Sequence, residues 1–589
     1  MQQSLVDVFK LWVMLLALFQ LAACGSSGDG NQTPIAAADS FSATGNTQKT
    51  FAAPGVMAND SDVDTPTIDL SVTAGTIATA NGGSVSMSSN GSFTYTPPAG
   101  VTSDSFSYTL NDNDVTSPQI SVGTVTIALS DMVWYVDDSA GAGNGTSATP
   151  FNTLAAGATA ASSGETIFVY AGTGSYTGGI TLTTAGQLIG EGEGLSVDGL
   201  TIAAGTAPSI TAAVGTDVIT LANGNTIKGV AISGGKSGIR GENISGLTVH
   251  NVSLTNTGDD SISLLAPSAT VEISDSAITA TSIDQVDGLN IDTTGQTDIL
   301  ILNVSDTDFS GLGDTSGNGL QNAIFLDDAA VGVGVVHVTI TGSTFVGTYG
   351  KGVHLFLSGS TGGDSITIGG GDTIGSASGN TFTGVRGTVM DLDAGNNTDI
   401  SYNIRGNILD GNGLSVSHAI YLFSRDSVTV SATISANRFS DIGDDITFDD
   451  SITTDDMVMK LLVGNGSAAA SNVVYTITDN IMNNNNARGV VIDAYGASTV
   501  GATVTNNSFN GHLGNNGLDV RTEVSGTSVC LAASGNGNSA SSDEIVLEEL
   551  SGSSLDVTGA GTPGDLEVNN NDMTVNATGD VAFGSTCTP

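Results

Sequence analysis

Positive charge is nearly missing from this chain: 13 Lys and Arg stand against 59 Asp and Glu in 589 residues, a formal net charge of -46. With no basic stripe to displace counterions from phosphate, nucleic acid is excluded as a partner. The same acidity disfavours direct docking on polyanionic glycans unless a divalent cation bridges the two, and otherwise serves solubility. Cysteine is scarce as well, at 3 residues, and the 5 histidines are scattered, so no His/Cys metal cluster can be assembled. No Ser-His-Asp spacing, nucleotide loop or nucleophile elbow stands out. Aromatics make up 5% and charged residues 12%, a profile that alone would suit disorder. The hydrophobic fraction of 39% is, however, spread as regular alternation, which calls for many short strands and turns.

What is present is a repeat. Apolar-x-apolar strands begin at Ile262, Leu289, Ile324, Val353, Met390, Ile420, Ile446, Val490 and Leu518, spaced 27, 35, 29, 37, 30, 26, 44 and 28 residues apart. A fixed supersecondary unit with variable loops gives such spacing, and a solenoid is the fold that uses it. A second column recurs once per unit: Phe309, Phe345, Phe382, Leu409, Phe439, Met482 and Phe509. Asn380, Asn407, Asn437, Asn480 and Asn507 stand two residues before the last five of these. Stacked asparagines can hydrogen-bond along a ladder, and Asn tolerates left-handed bends between strands.

At the N-terminus Lys10 precedes the apolar run Leu11 to Phe19, too short for a membrane span and suited to a secretory signal. The run ends in Leu21-Ala22-Ala23-Cys24, which resembles the bacterial lipobox. That resemblance implies a lipoprotein signal peptide over residues 1–24, with Cys24 lipidated and left as the mature N-terminus, and a Gly/Ser tether over residues 25–33. Because Gly25 rather than Asp follows the cysteine, it also implies an outer-membrane or cell-surface location, with the membrane touched only through the anchor. Cys530 and Cys587 remain, and in an exported protein they are expected to pair and staple the C-terminal end of the solenoid.

Residues 34–130 read as a small β-sandwich, with period-two alternation in Gly91-Ser92-Phe93-Thr94-Tyr95-Thr96 and Asp104-Ser105-Phe106-Ser107-Tyr108. With Ala58-Asn59-Asp60-Ser61-Asp62-Val63-Asp64, this segment resembles bacterial cadherin-like and immunoglobulin-like surface repeats. Asp60, Asp62 and Asp64 offer alternating hard oxygens on one loop, and Asp112 and Asp114 offer more, so calcium is the cofactor they would suit. Acidic turn residues without metal are the competing reading.

From residue 131 to 589 the fold expected is a right-handed single-stranded parallel β-helix, making the chain all-β. Trp134-Tyr135-Val136, Pro150-Phe151-Asn152 and Gly164-Glu165-Thr166-Ile167-Phe168-Val169 resemble the start of pectin-lyase-like β-helices, and Ala155 to Ser162 is Ala-rich enough for the capping helix seen in that family.

In each repeated strand the first and third residues point inward, so the second and fourth line the outer face. One outward row is Ser263, Asn290, Phe325, His354, Asp391, Tyr421, Thr447, Val491, Asp519. The other is Leu265, Asp292, Asp327, Phe356, Asp393, Phe423, Asp449, Asp493, Arg521. The central rungs thus gather Phe325, Phe356, Tyr421 and Phe423 with Asp327, His354, Asp391, Asp393 and Arg425, the mixture a sugar-binding groove uses. The expected ligand is a polysaccharide or cell-surface glycan.

Catalysis is the alternative. Asp391 and Asp393 on one strand face would lie roughly 6 to 7 Å apart, near the lower edge of the inverting glycosidase range. Gly258-Asp259-Asp260-Ser261, echoed at Gly443-Asp444-Asp445-Ile446, resembles the Gly-Asp-Asp element of polygalacturonase-like hydrolases, but the Gly-His-Gly and Arg-Ile-Lys elements are absent. A turn before a strand explains both copies. A pectate-lyase reading would need a basic residue beside carboxylate-bound calcium, and in these rows only Arg521 is basic, with Arg425 nearby. The sequence therefore favours a lipid-anchored binding or adhesion protein over a surface-tethered glycoside hydrolase or polysaccharide lyase.

Overall fold

The structure is a computed structural model that describes residues 30–280, 287–312, 321–328, 334–359, 363–412, 416–443, 457–464, 470–483, 485, 487–510, 516–537, 544–550, 552–571 and 573–589. Cys24, the signal run and most of the tether lie outside the described residues. So do Asp444, Asp445, Ile446, Thr447 and Asp449. The chain divides into two compact units. The first takes in the chain to Ser42, Thr50–Tyr95 and Ser103–Ala128; the second takes in Leu129–Pro589 with the short segments Ala43–Lys49 and Thr96–Thr102.

The first unit is a β-sandwich of two four-stranded sheets. Alternation builds it: Ser103–Asn111 buries Asp104, Phe106, Tyr108 and Leu110, and Ile120–Ser130 buries Val125, Ile127 and Leu129 against them. Phe93 centres the core, with ring centroids 5.2 Å from Phe41, 4.6 Å from Phe51 and 5.5 Å from Phe106. Each buried Phe contributes about 1.5–3 kcal/mol relative to exposure.

The second unit consists of three long parallel sheets of 16, 12 and 14 strands, the all-parallel stacking of a β-helix. One coil runs Val336–Thr341 in the first sheet, Thr344–Val346 in the second and Lys351–Ser358 in the third, before Asp364–Gly369 starts the next. Strands pair in register with the coils above and below, so every ladder bond is made between neighbouring coils. The recurring apolar column fills the second sheet's inner side: Phe309 stacks on Phe345 at 5.0 Å and Phe345 on Phe382 at 4.4 Å.

The turn from first to second sheet carries the asparagine ladder. Asn407 is fully buried; its N–H and Nδ2 both donate to Asn437 Oδ1 at 3.0 and 2.9 Å, and Nδ2 also donates to Ile368 O at 2.9 Å. Asn380, Asn437, Asn480 and Asn507 repeat this pattern, and Asn536 and Asn570 extend it. Earlier coils place Ser276, Thr307 and Ser343 at the same turn, and there Ser276 and Ser343 hydroxyls accept the preceding coil's backbone N–H.

Both ends are closed. The helix Leu154–Ala160, shorter than the Ala-rich stretch, is capped by Thr153 and covers the first coil. At the other end the helix Pro563–Asn569, capped by Thr562, receives the last ladder bonds through Asn570. Cys530 and Cys587 form the expected disulfide, with Cα atoms 5.9 Å apart.

One expected strand is displaced. The third-sheet slot between His418–Ser424 and Arg488–Ala494 is held by Met457–Val463, not by Ile446–Phe448. Met459 pairs with Ile420 and Val490, which turns the uneven intervals of 26 and 44 residues into 39 and 31. Lys460 and Leu462 therefore occupy the outward positions assigned to Thr447 and Asp449.

Candidate functional site

The candidate face is the outer side of the third sheet, where Asn322–Asp328, Lys351–Ser358, Met390–Gly395, His418–Ser424 and Met457–Val463 lie side by side. Pairing is in register, so Phe325, His354, Asp391, Tyr421 and Lys460 form one row. Asp327, Phe356, Asp393, Phe423 and Leu462 form the other. Rungs repeat about every 4.8 Å, within reach of one another's long side chains. All these residues are half-buried rather than fully exposed, because each outward side chain leans on the rung above or below.

Both carboxylates singled out for catalysis are ion-paired. Lys351 Nζ lies 2.5 Å from Asp391 Oδ2, and Arg425 Nη2 lies 2.7 Å from Asp393 Oδ2. The guanidinium of Arg425 also sits over the Phe356 ring at 4.6 Å and the Phe423 ring at 5.5 Å, binding two aromatics and one carboxylate into a unit. Lys351 Nζ is 3.3 Å from His354 Nε2, and burial followed by that ammonium pulls the imidazole down to about 4, leaving it neutral near pH 7. His354 in turn tilts against Phe325 at 5.0 Å. Burial pushes Asp393 up to about 6 against the pull of Arg425, and Asp393 Oδ1 accepts no hydrogen bond. Tyr421, flanked by His418 at 5.5 Å and Phe423 at 6.2 Å, is pushed up to about 12 by burial and the neighbouring carboxylates, so its hydroxyl stays a donor.

Sequence reasoning missed Lys351, His418, Lys460 and Arg488. Three of them occupy a further row, two residues before the inward positions Val353, Ile420 and Val490. That offset was the available signal. Lys460 was hidden by the displaced strand, and its Nζ stands 6.0 Å from the Tyr421 ring.

Beyond Lys460 the expected solvent-facing row fails: Val491, Asp493 and Asp519 are buried. Asp519 is enclosed by Arg521, whose Nη2 lies at 2.7 Å, and Arg488 at 3.4 Å, so it is matched within the protein rather than offered to a ligand. Burial also pushes Asp493 up to about 6. At the opposite end of the same face Asp260 is buried and accepts from Asn290 Nδ2 at 2.7 Å. Asp287, in the next coil, is pushed up to about 7 by burial. The Gly258-Asp259-Asp260 segment does lead into the strand Ile262–Leu265, as a turn should. A groove of 430 Å³ opens elsewhere, at the turn from first to second sheet beside Asp275, Asp306 and Thr344.

In the sandwich, Asp60 is directed inward. Its oxygens accept from Tyr108 Oη at 2.8 and 2.9 Å, and Oδ1 accepts from Ala37 N–H at 2.8 Å. Asp64 Oδ2 accepts from Gln32 N–H at 2.7 Å, and Asp62 Oδ1 from Asp64 N–H at 3.1 Å. Asp112 and Asp114 likewise accept backbone N–H groups of their own loop. Among the described residues no group of three or more His, Cys, Asp or Glu is placed to hold a metal ion. Among them, too, no helix is long and apolar enough to cross a membrane.

No curated protein and no solved structure matches this chain. Residues 31–131 match the family model of the bacterial cadherin-like domain, so this segment is similar to that family across the sandwich.

Proposed function

We propose that this chain is an adhesion-type surface protein whose third-sheet face binds uncharged carbohydrate. A cadherin-like segment in a chain with a long parallel β-helix suggests the adhesion class. One observation carries the finer reading: Phe356, Tyr421 and Phe423 stand beside carboxylates that Lys351 and Arg425 neutralise. Rings offer apolar sugar faces a stacking surface, while the ion-paired carboxylates present no net charge to them. Neutral or cation-bridged glycans then suit the face better than bare polyuronates. Binding to an immobilised glycan panel tests it. Tyr421→Ala with Phe423→Ala should abolish retention of the recognised glycan, whereas Asp391→Asn should weaken it only partly. Unchanged retention in the double variant would sink the proposal.

The raised Asp393, at about 6, supports a second reading in which it acts as a proton donor in glycoside cleavage. In that case Asp393→Asn removes turnover and leaves binding intact. The lipobox at Cys24 supports lipid anchorage at the cell surface; Cys24→Ser should then release the protein from the membrane fraction. Calcium on the Asp60-Asp62-Asp64 loop requires a calcium-dependent rise in the sandwich's melting temperature, and its absence would assign those carboxylates to the loop's own hydrogen bonds.

A further inference from the structure

Where the chain enters the third sheet, Ser237, Asp260, Asp287 and Asn322 stand in one column on successive coils. Backbone bonds fix that register: Asp259 N–H donates to Lys236 O, Ser261 N–H to Asp287 O and Gly288 N–H to Asn322 O, at 2.8, 2.9 and 3.0 Å. The column presents two carboxylates, a hydroxyl and an amide oxygen, with no imidazole or thiol. Asp260 is buried and accepts from Asn290 Nδ2 at 2.7 Å. Asp287 Oδ1 accepts both the Asn322 N–H and, at 3.3 Å, Asn322 Nδ2. The nearest cations are engaged elsewhere. Arg240 Nη2 is held by Glu242 at 2.6 Å, and Lys236 Nζ lies 3.9 Å from Asp259. Among the described residues no ion pair reaches Asp260 or Asp287.

Two orphaned oxygens flank this pair. Ser237 Oγ and Asn322 Oδ1 have no hydrogen-bond partner, in residues only 0% and 4% exposed. Asn322 Oδ1 belongs to the amide whose Nδ2 already touches Asp287, so it is directed at the carboxylates, and Ser237 stands directly before Asp260 in the column. Buried oxygens left unpaired are costly, and so are neighbouring carboxylates out of water without a cation. Burial, with Asp260 adding to it, pushes Asp287 up to about 7. A bound cation removes both costs, because it neutralises the carboxylates and attracts the orphaned oxygens. An all-oxygen set suits calcium or magnesium, whereas zinc and copper favour nitrogen and sulfur.

We infer that Asp260, Asp287 and Asn322 hold a hard divalent cation, with Ser237 completing the oxygen set. The ion ties together successive coils ahead of the aromatic face. This inference is independent of the glycan reading and of the sandwich loop, since its ligands belong to the β-helix alone. The test is hydrogen exchange resolved by coil on the purified full chain, after chelation and then with calcium or magnesium chloride added. At a cation concentration about a hundred times its Kd, exchange in the coils of Asp260, Asp287 and Asn322 should slow about a hundredfold. Asp287→Asn keeps the shape and removes the charge, and should abolish that response; Asp260→Asn replaces it if the first variant does not fold. A response confined to these coils supports the site even if neither variant folds. Exchange there that ignores both cations overturns the inference, as does a full response in a folded variant. Protection that ignores the cations and grows as pH falls would assign the carboxylates a shared proton and likewise overturn it.

Discussion

Replacing Asn437 by alanine tests the ladder where its bonds are fully buried. The side chain takes part in four hydrogen bonds: Asn437 Oδ1 accepts from Asn407 N–H and Nδ2, and Nδ2 donates to Ile404 O and Asn480 Oδ1. Asn407 Nδ2 keeps Ile368 O, and Asn480 Oδ1 keeps the Asn437 N–H, so those two partners are only partly stripped. The Asn407 N–H and the Ile404 carbonyl lose their side-chain partner outright. A buried unsatisfied group costs about 1–3 kcal/mol, which puts Asn437→Ala near 4 kcal/mol. Serine should recover about half of this, since a hydroxyl can accept a backbone N–H but does not reach the distant carbonyl. Coils without asparagine already show that arrangement at Ser276 and Ser343. A long solenoid need not unfold in one step, so the assay is native-state hydrogen exchange resolved by coil. Protection should fall at the coils of Asn407, Asn437 and Asn480 and hold in the sandwich. A loss under about 1 kcal/mol, or serine as damaging as alanine, would refute the hydrogen-bond accounting.

Leu422→Asp places a carboxylate among fully buried neighbours and should cost at least about 4 kcal/mol or prevent folding, while Tyr421→Ala on the same strand should barely move the melting temperature. Equal damage from both would mean the strand faces are exchanged. Reducing the Cys530–Cys587 bond opens a loop spanning a sequence separation of 57 and should remove about 4 kcal/mol in the chain-entropy model, felt as faster exchange in the C-terminal coils alone. Asp393 titrates near 6 when folded against 3.8 in the reference state, so its contribution is full below 3.8 and lost as pH rises through 6. Arg425 opposes that upward shift, so Arg425→Met should move the NMR midpoint of Asp393 higher and destabilise the protein more at pH 8 than at pH 5. A midpoint that falls or stays would remove Arg425 from the account.

The β-helix was legible because its two signals are short-range and repeat. Eight of the nine strands expected from period-two alternation lie in the third sheet, and the Phe/Asn pair marked the second sheet independently. The ninth was misplaced because Ile446-Thr447-Phe448 imitates the pattern between acidic turn residues, while Met457 to Val463 is too uniformly apolar to show alternation. The site was legible only in part, since strand alternation says which way a residue points and not what covers it. Val491 and Asp519 point outward yet are buried, and no local pattern encodes that. The ion pairs of Lys351 with Asp391 and of Arg425 with Asp393 each join neighbouring coils, so the register had to be known first. Asp60 reads as a metal-type ligand by its spacing, but Tyr108 claims it from 48 residues away.

The asparagine ladder has a direction. Each rung's backbone N–H and amide donate to the asparagine of the coil that follows in the chain, ending at Asn570 beside the terminal helix. A coil made early in synthesis therefore holds donors that only later coils can satisfy. During vectorial emergence, N-terminus first, the growing edge always carries one unfinished turn, and the helix Pro563–Asn569 is the stopper that completes the series. The ladder thus acts as a ratchet for assembly as well as a set of static bonds. Chains truncated just before Asn480 should leave the Asn437 turn exchanging freely, and firm protection there would show that the ladder carries no such order.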